Sequence, residues 1–148
     1  MPKRPPKSVA LVPDDYAARH VGWTEDGRQF FLTTPFVPAV ASPGREFLAL
    51  YLFDKDGALL EARIEDLGTR AELDEEVARR KHEELLASLG RVRRRRIKVA
   101  PFRLERFGVE FGFIPQAPED PDDDWSVIVE PGNYMCFRPP WSSGEYDT

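Results

Sequence analysis

The chain holds few residues of the types that perform catalysis. Histidine occurs only at His20 and His82, and the single thiol is Cys136. Thiol–imidazole chemistry needs the base within hydrogen-bond reach of the sulfur and a third group to orient it. No spacing here supplies that arrangement. Cys136 stands between Met135 and Phe137, where a small apolar packing role suits it. His82 falls among Arg80, Lys81, Glu83 and Glu84 on a helical stretch, the setting of a solvated side chain. A structural zinc site takes about four Cys or His ligands, more than two histidines and one cysteine can supply. Glycine-rich phosphate loops with their lysine, and the nucleophile-elbow pattern, are absent. The residues therefore predict no catalytic group and no cofactor, and an enzyme of unrecognised class is the third reading.

Charge is what the sequence does concentrate. "GRVRRRRIKV" places Arg91, Arg93, Arg94, Arg95 and Arg96 next to Lys98. In a regular strand, neighbouring side chains point to opposite faces, and arginine is almost never fully buried without a partner. The segment therefore begins in solvent, at a sheet edge, and enters the core near Ile97 and Val99. Charges on an edge strand discourage edge-to-edge aggregation. Glu61, Glu65 and the 119–124 loop are the expected acidic partners. The same six basic residues would carry nucleic-acid binding, the alternative function. Against it, from Phe107 onward the chain has nine acidic residues and one basic one, Arg138. Helix-turn-helix, zinc-finger and RNA-recognition signatures are also missing.

"PEDPDDDW" gathers Glu119, Asp120, Asp122, Asp123 and Asp124 beside Trp125. These are hard oxygen ligands of the kind calcium and magnesium take. The alternating spacing and central glycine of a calcium loop are absent, so no metal is expected. The tail "RPPWSSGEYDT" adds Ser142, Ser143, Glu145 and Asp147. Trp141 and Tyr146 are costly to leave in water and predict docking onto the body or onto a partner. Aromatic anchors beside charges are what protein interfaces favour. Glu119, Asp120, Asp122, Asp123, Asp124, Trp125, Trp141 and Tyr146 are thus the candidate partner-binding set.

The composition limits what can position these residues. Within 148 residues, 41% are hydrophobic and 11% aromatic, enough for a continuous core, while 32% are charged. A net charge of −5 disfavours a general nucleic-acid coat protein or a binder of anionic membranes. No apolar run reaches the length of a secretory signal or a membrane span, and a lone cysteine fits a reducing compartment. The expectation is a cytoplasmic protein of one domain, 1–148, with a loose basic, proline-rich arm over 1–13 and an irregular tail over 139–148.

Local patterns predict three hairpins and one helix. Asp26-Gly27 turns Val21 to Trp23 back into Gln29 to Thr33. The proline-bracketed "FVPAVASPG" reads as a loop. Phe47 to Phe53 is a continuous apolar run, as for a strand covered on both faces. Asp56-Gly57 turns it into a half-buried partner, with Leu60, Ala62 and Ile64 on one face. Thr69 and Glu72 have the spacing of a capping box that opens a helix ending at Gly90. Leu73, Val77, Ala78, Leu85, Leu86 and Leu89 form its apolar stripe. Phe107 to Phe113 alternates as a strand, with Gly108 and Gly112 marking a bend or a close neighbour. "WSVIVEPGNYMCF" is the third hairpin, turning at Pro131-Gly132.

The fold class read from these elements is α+β: a mainly antiparallel sheet of β-hairpins with one principal α-helix packed on one face. The leading function is a small protein-binding module, a stoichiometric inhibitor or immunity-type protein acting through its acidic surface. No membrane is expected among its partners.

Overall fold

The computed structural model describes residues 3–40, 43–132 and 135–148. The first two residues of the predicted arm, 41–42 of the proline-bracketed loop and 133–134 of the third hairpin lie outside them. Strands make up 43% of the described residues and helix 10%, so these are predominantly antiparallel β with one short helix.

The continuous apolar run is the centre of the main sheet. Strand β5 (Arg45–Phe53) pairs on one edge with β3 (Gln29–Thr33) and on the other with β6 (Leu59–Gly68). The short β4 (Phe36–Val37), within the predicted loop, pairs with the start of β5. Beyond β3 lies β2 (His20–Thr24), joined to it through the Asp26-Gly27 turn. The arginine strand β7 (Val92–Arg94) then closes the sheet. All these pairings are antiparallel.

Strand alternation sorts β5 into two faces. Leu48, Leu50 and Leu52 join Phe30 and Leu32 beneath Leu85, Leu86 and Leu89. Ala49, Tyr51 and Phe53 face the larger core with Val21 and Phe31. Both faces are covered, as the unbroken apolar run requires. On β6, Ala62 and Ile64 pack against the larger core, whereas Leu60 is 56% exposed. A register shift between Leu52 and Phe53 turns it away from the predicted face.

The helix α1 spans Glu75–Ser88, and Asp74 caps it by accepting from the backbone N–H groups of Glu76 and Val77. The sequence-based start at Thr69 is therefore corrected. The Thr69–Glu72 box does form, with the Glu72 N–H donating to Thr69 Oγ1 and the Thr69 N–H to Glu72 Oε1. It closes a separate turn after β6. Two capping patterns compete within six residues, and Asp74 wins because its own N2 and N3 amides stay in register with the leucines.

The second half forms a four-stranded sheet in the order β12–β11–β10–β9. Its strands are β9 (Phe102–Arg106), β10 (Val109–Gln116), β11 (Ser126–Glu130) and β12 (Cys136–Phe137). Phe107 and Gly108 do not belong to the strand that alternation suggested. They are the two turn residues between β9 and β10, at φ 56° and 72°, with Arg106 paired to Val109. Two consecutive positive φ angles mark a type I′ hairpin turn. The Phe107 ring lies 6.1 Å from that of Phe47, which anchors an aromatic residue in a conformation it rarely adopts. At Gly112 a Cβ would stand 2.1 Å from the Phe102 carbonyl oxygen, so the close neighbour is the adjacent strand itself.

The reading of 1–13 as a loose arm is corrected for its second part. Val9–Leu11 is strand β1, fully buried and paired antiparallel with β8 (Ile97–Val99). Both outer sides of this two-stranded ribbon are covered. The Ala10 N–H donates to the Trp141 carbonyl at 2.9 Å, and the Lys98 N–H donates to Gln29 Oε1 at 2.6 Å. Gln29 is 1% exposed and also donates from Nε2 to the Asp54 carbonyl, tying the ribbon to the main sheet.

Candidate functional site

The arginine segment lies where its charge pattern requires. Gly90, at φ 70°, ends the helix, and the chain runs directly into β7 on the outside of β2. Every residue from Arg91 to Arg96 is exposed, while Ile97 and Val99 are fully buried. Beyond the ladder to β2, β7 has no strand partner among the described residues. Its outer edge therefore presents unpaired backbone groups to solvent.

The two faces of β7 differ. Arg93 stands opposite Trp23, and Arg91, Arg93 and Arg95 line one open cleft of about 450 Å³ with Trp23, Thr24 and Glu25. The Arg95 guanidinium sits over the Trp23 ring, 5.8 Å from its centroid, and the Trp23 indole N–H donates to the Arg96 carbonyl at 2.8 Å. Arg94 turns the other way. It donates to the Arg19 carbonyl at 2.9 Å and to the Asp14 carbonyl, and pairs with Asp15 at 3.4 Å. Among the described residues no carboxylate lies within ion-pair distance of Arg91, Arg93, Arg95, Arg96 or Lys98. Of the acidic partners expected for them, Glu61 pairs with Arg63, Glu65 with Lys81, and Asp124 with Lys3.

The candidate partner-binding residues divide. Glu119, Asp120, Asp122, Asp123 and Asp124 are exposed, as an acidic loop should be. Lys3 reaches across it, donating to the Asp122 carbonyl at 2.8 Å and pairing with Asp124 at 3.0 Å. The Trp125 indole donates to the Lys3 carbonyl. Trp141 and Tyr146 are half-buried against the larger core, so the tail docks on the body. Val12 N–H donates to the Gly144 carbonyl, and Asp147 forms a backbone bridge with Cys136.

Tyr146 donates its hydroxyl to Asp14 and accepts from the Ala17 N–H at 3.2 Å. Burial pushes the Tyr146 phenol up to about 12, reinforced by its bond to Asp14. Burial also raises Asp14, but the Tyr146 hydroxyl, the Tyr16 and Ala18 amides and the Arg94 charge together hold its carboxyl below the ordinary value.

One pairing escaped sequence reasoning. His20 on β2 and His82 on α1 meet edge to face, with ring centroids 4.8 Å apart. Both line a cleft of about 530 Å³ with Tyr16, Arg19, Thr33, Thr34 and Phe36. Burial lowers the pKa of each ring. For His20, the nearby His82, Arg19 and Arg94 add to that, while Glu83 opposes it for His82. The predicted solvated His82 is thus half-buried. Helical periodicity alone carried a signal, since His82 lies three residues before Leu85 on the inward side of α1. Neither histidine neighbours Cys136, which lines a different cleft near the tail with Asp14, Arg138 and Tyr146.

Neither a family model, nor a curated protein, nor a solved structure matches the chain.

Proposed function

We propose that this chain is a protein-binding module of the α+β class whose docking surface is the open, arginine-flanked edge of β7. The partner is an extended acidic segment that adds to this edge as a further strand. One observation carries the reading: a strand edge flanked by Arg91, Arg93, Arg95 and Arg96, with no carboxylate of the described residues within ion-pair distance of any of them. Strand addition satisfies the exposed backbone N–H and C=O groups, while alternate side chains reach pockets on the two faces. An acidic strand would bring carboxylates against Arg91, Arg93 and Arg95, whose fork-shaped donors match that geometry. The long-range field speeds encounter and rejects basic partners.

The acidic loop is the less apt surface of the two, because Lys3 already pairs with the Asp124 carboxylate and the tail aromatics pack inward. RNA or DNA is the second reading, favoured by Arg95 over Trp23 beside the other arginines. Fluorescence anisotropy separates the two. The probes are a peptide of alternating Glu and Val, its Gln–Val counterpart, and a uridine oligomer. The docking reading expects the Glu–Val peptide to bind best, and Arg91→Gln/Arg93→Gln/Arg95→Gln to weaken it by about tenfold or more. A folded triple variant with unchanged peptide affinity, or a clear preference for the oligomer, overturns it.

A further inference from the structure

We infer that the arginine cleft beside β7 selects a phosphorylated side chain, a phosphoserine or phosphothreonine, on the extended segment that docks there. This selectivity rests on β7 serving as the docking edge and adds which group of the partner the cleft reads. Arg91, Arg93 and Arg95 are alternate residues of one segment, and all three line a single open cleft of about 450 Å³. In a pleated pair, the side chain directly opposite a residue stands about 7–8 Å from that residue's neighbours two positions away, within reach of long side chains. A group on the added strand opposite Arg93 is therefore flanked by Arg91 and Arg95.

The charge and the donors of the cleft favour a dianion. Glu25 is the one carboxylate residue lining it, against three guanidinium groups, so two positive charges stay uncompensated. Three guanidinium forks offer about six paired donors, more than the roughly four acceptor sites of a single carboxylate. A phosphoryl group brings about −1.5 to −2 charge at neutral pH and three strong acceptor oxygens. The cleft is also held ready. The Trp23 indole, donating to the Arg96 carbonyl at 2.8 Å, fixes the ring over which the Arg95 guanidinium sits, 5.8 Å from the centroid. A fork held on an aromatic face loses less freedom when its ligand arrives. Thr24 Oγ1 is engaged with Asp26 and the Arg28 N–H, which leaves the recognition to the arginines.

The test compares three peptides by fluorescence anisotropy on the full chain: the alternating Glu–Val peptide, and the same peptide with its central Glu replaced by phosphoserine or by serine. The phosphoserine form should bind about tenfold or more tightly than the Glu parent, through new charge-assisted hydrogen bonds, and the serine form more weakly than the parent. Arg93→Gln should bring the phosphoserine and Glu forms to about equal affinity. Arg94→Gln removes the same charge from the same strand, but Arg94 turns away to the Arg19 carbonyl and Asp15, so the preference should survive. Should Arg93→Gln fail to fold, Arg91→Gln and Arg95→Gln carry the same comparison from outside the β7 ladder. A Glu peptide that binds while the phosphoserine form binds no tighter overturns the selectivity and leaves the docking edge standing. A preference that persists in folded Arg93→Gln, or that Arg94→Gln abolishes equally, also overturns it, since net charge would then be the cause. If no peptide binds, the docking edge itself is refuted, and the selectivity with it.

Discussion

Gln29 offers the sharpest energetic test of the fold, because one buried amide holds two segments that are distant in sequence. Its Nε2 donates to the Asp54 carbonyl at 3.0 Å, and its Oε1 accepts from the Lys98 N–H at 2.6 Å. Replacement by leucine keeps the volume, so little cavity forms, but both of these hydrogen bonds vanish, together with a long one from Nε2 to the Lys55 carbonyl at 3.5 Å. The Asp54 carbonyl retains a bond from the Gly57 N–H at 3.1 Å, whereas the Lys98 N–H retains none. The lost bond to Asp54 costs about 1 kcal/mol and the orphaned amide about 1–3 kcal/mol, together about 2–4 kcal/mol. For a chain of this size that lowers the thermal midpoint by about 5 to 15 °C. Calorimetry and urea melts with an unchanged slope would measure it.

Gln29→Glu sharpens the argument. The carboxylate still accepts from Lys98 but faces the Asp54 carbonyl where a donor stood. Its charged form is disfavoured, so its folded pKa is raised above the unfolded one. Its deficit relative to the parent should shrink as pH falls and grow as pH rises through neutrality. A leucine variant that loses less than about 1 kcal/mol, or a glutamate variant with no pH dependence, would show that Gln29 does not tie the ribbon to the sheet.

Two further outcomes follow from particular contacts. Asp74→Ala should cost about 1 kcal/mol in urea denaturation and Thr69→Ala distinctly less, since Asp74 caps α1 and Thr69 only a preceding turn; the reverse order would move the helix start back to Thr69. The raised phenol of Tyr146 contributes stability that is fully present below its ordinary value of 10.0 and is lost as pH rises through about 12. Trp141 fluorescence, read in a background with the other two tryptophans replaced by phenylalanine, should report tail release across that window. Tyr146→Phe should lose the hydroxyl's bonds to Asp14 and Ala17 and with them this alkaline step. An alkaline step that persists in the phenylalanine variant would assign it to another group.

Much of the fold was legible because it is written in short-range patterns. The Asp26-Gly27 turn, the two-faced apolar run of β5 and the solvent-to-core passage from Arg96 to Ile97 each depend only on neighbours along the chain. The turn at Phe107-Gly108 was not legible, because a phenylalanine at positive φ is stabilised by a ring on another strand, Phe47. The short β1 was hidden for a similar reason: three apolar residues after prolines carry no periodicity, and only Ile97–Val99 gives them a partner. For the candidate site, sequence alone determined that the charge would be split between an arginine strand and an acidic loop. Tertiary structure decided that these do not meet. It turned Arg94 toward Asp14 and Asp15, left its neighbours with no described carboxylate within ion-pair distance, and paired Lys3 with Asp124. It also joined His20 to His82, since proximity across a helix–sheet interface depends on how two elements pack, which no local spacing encodes.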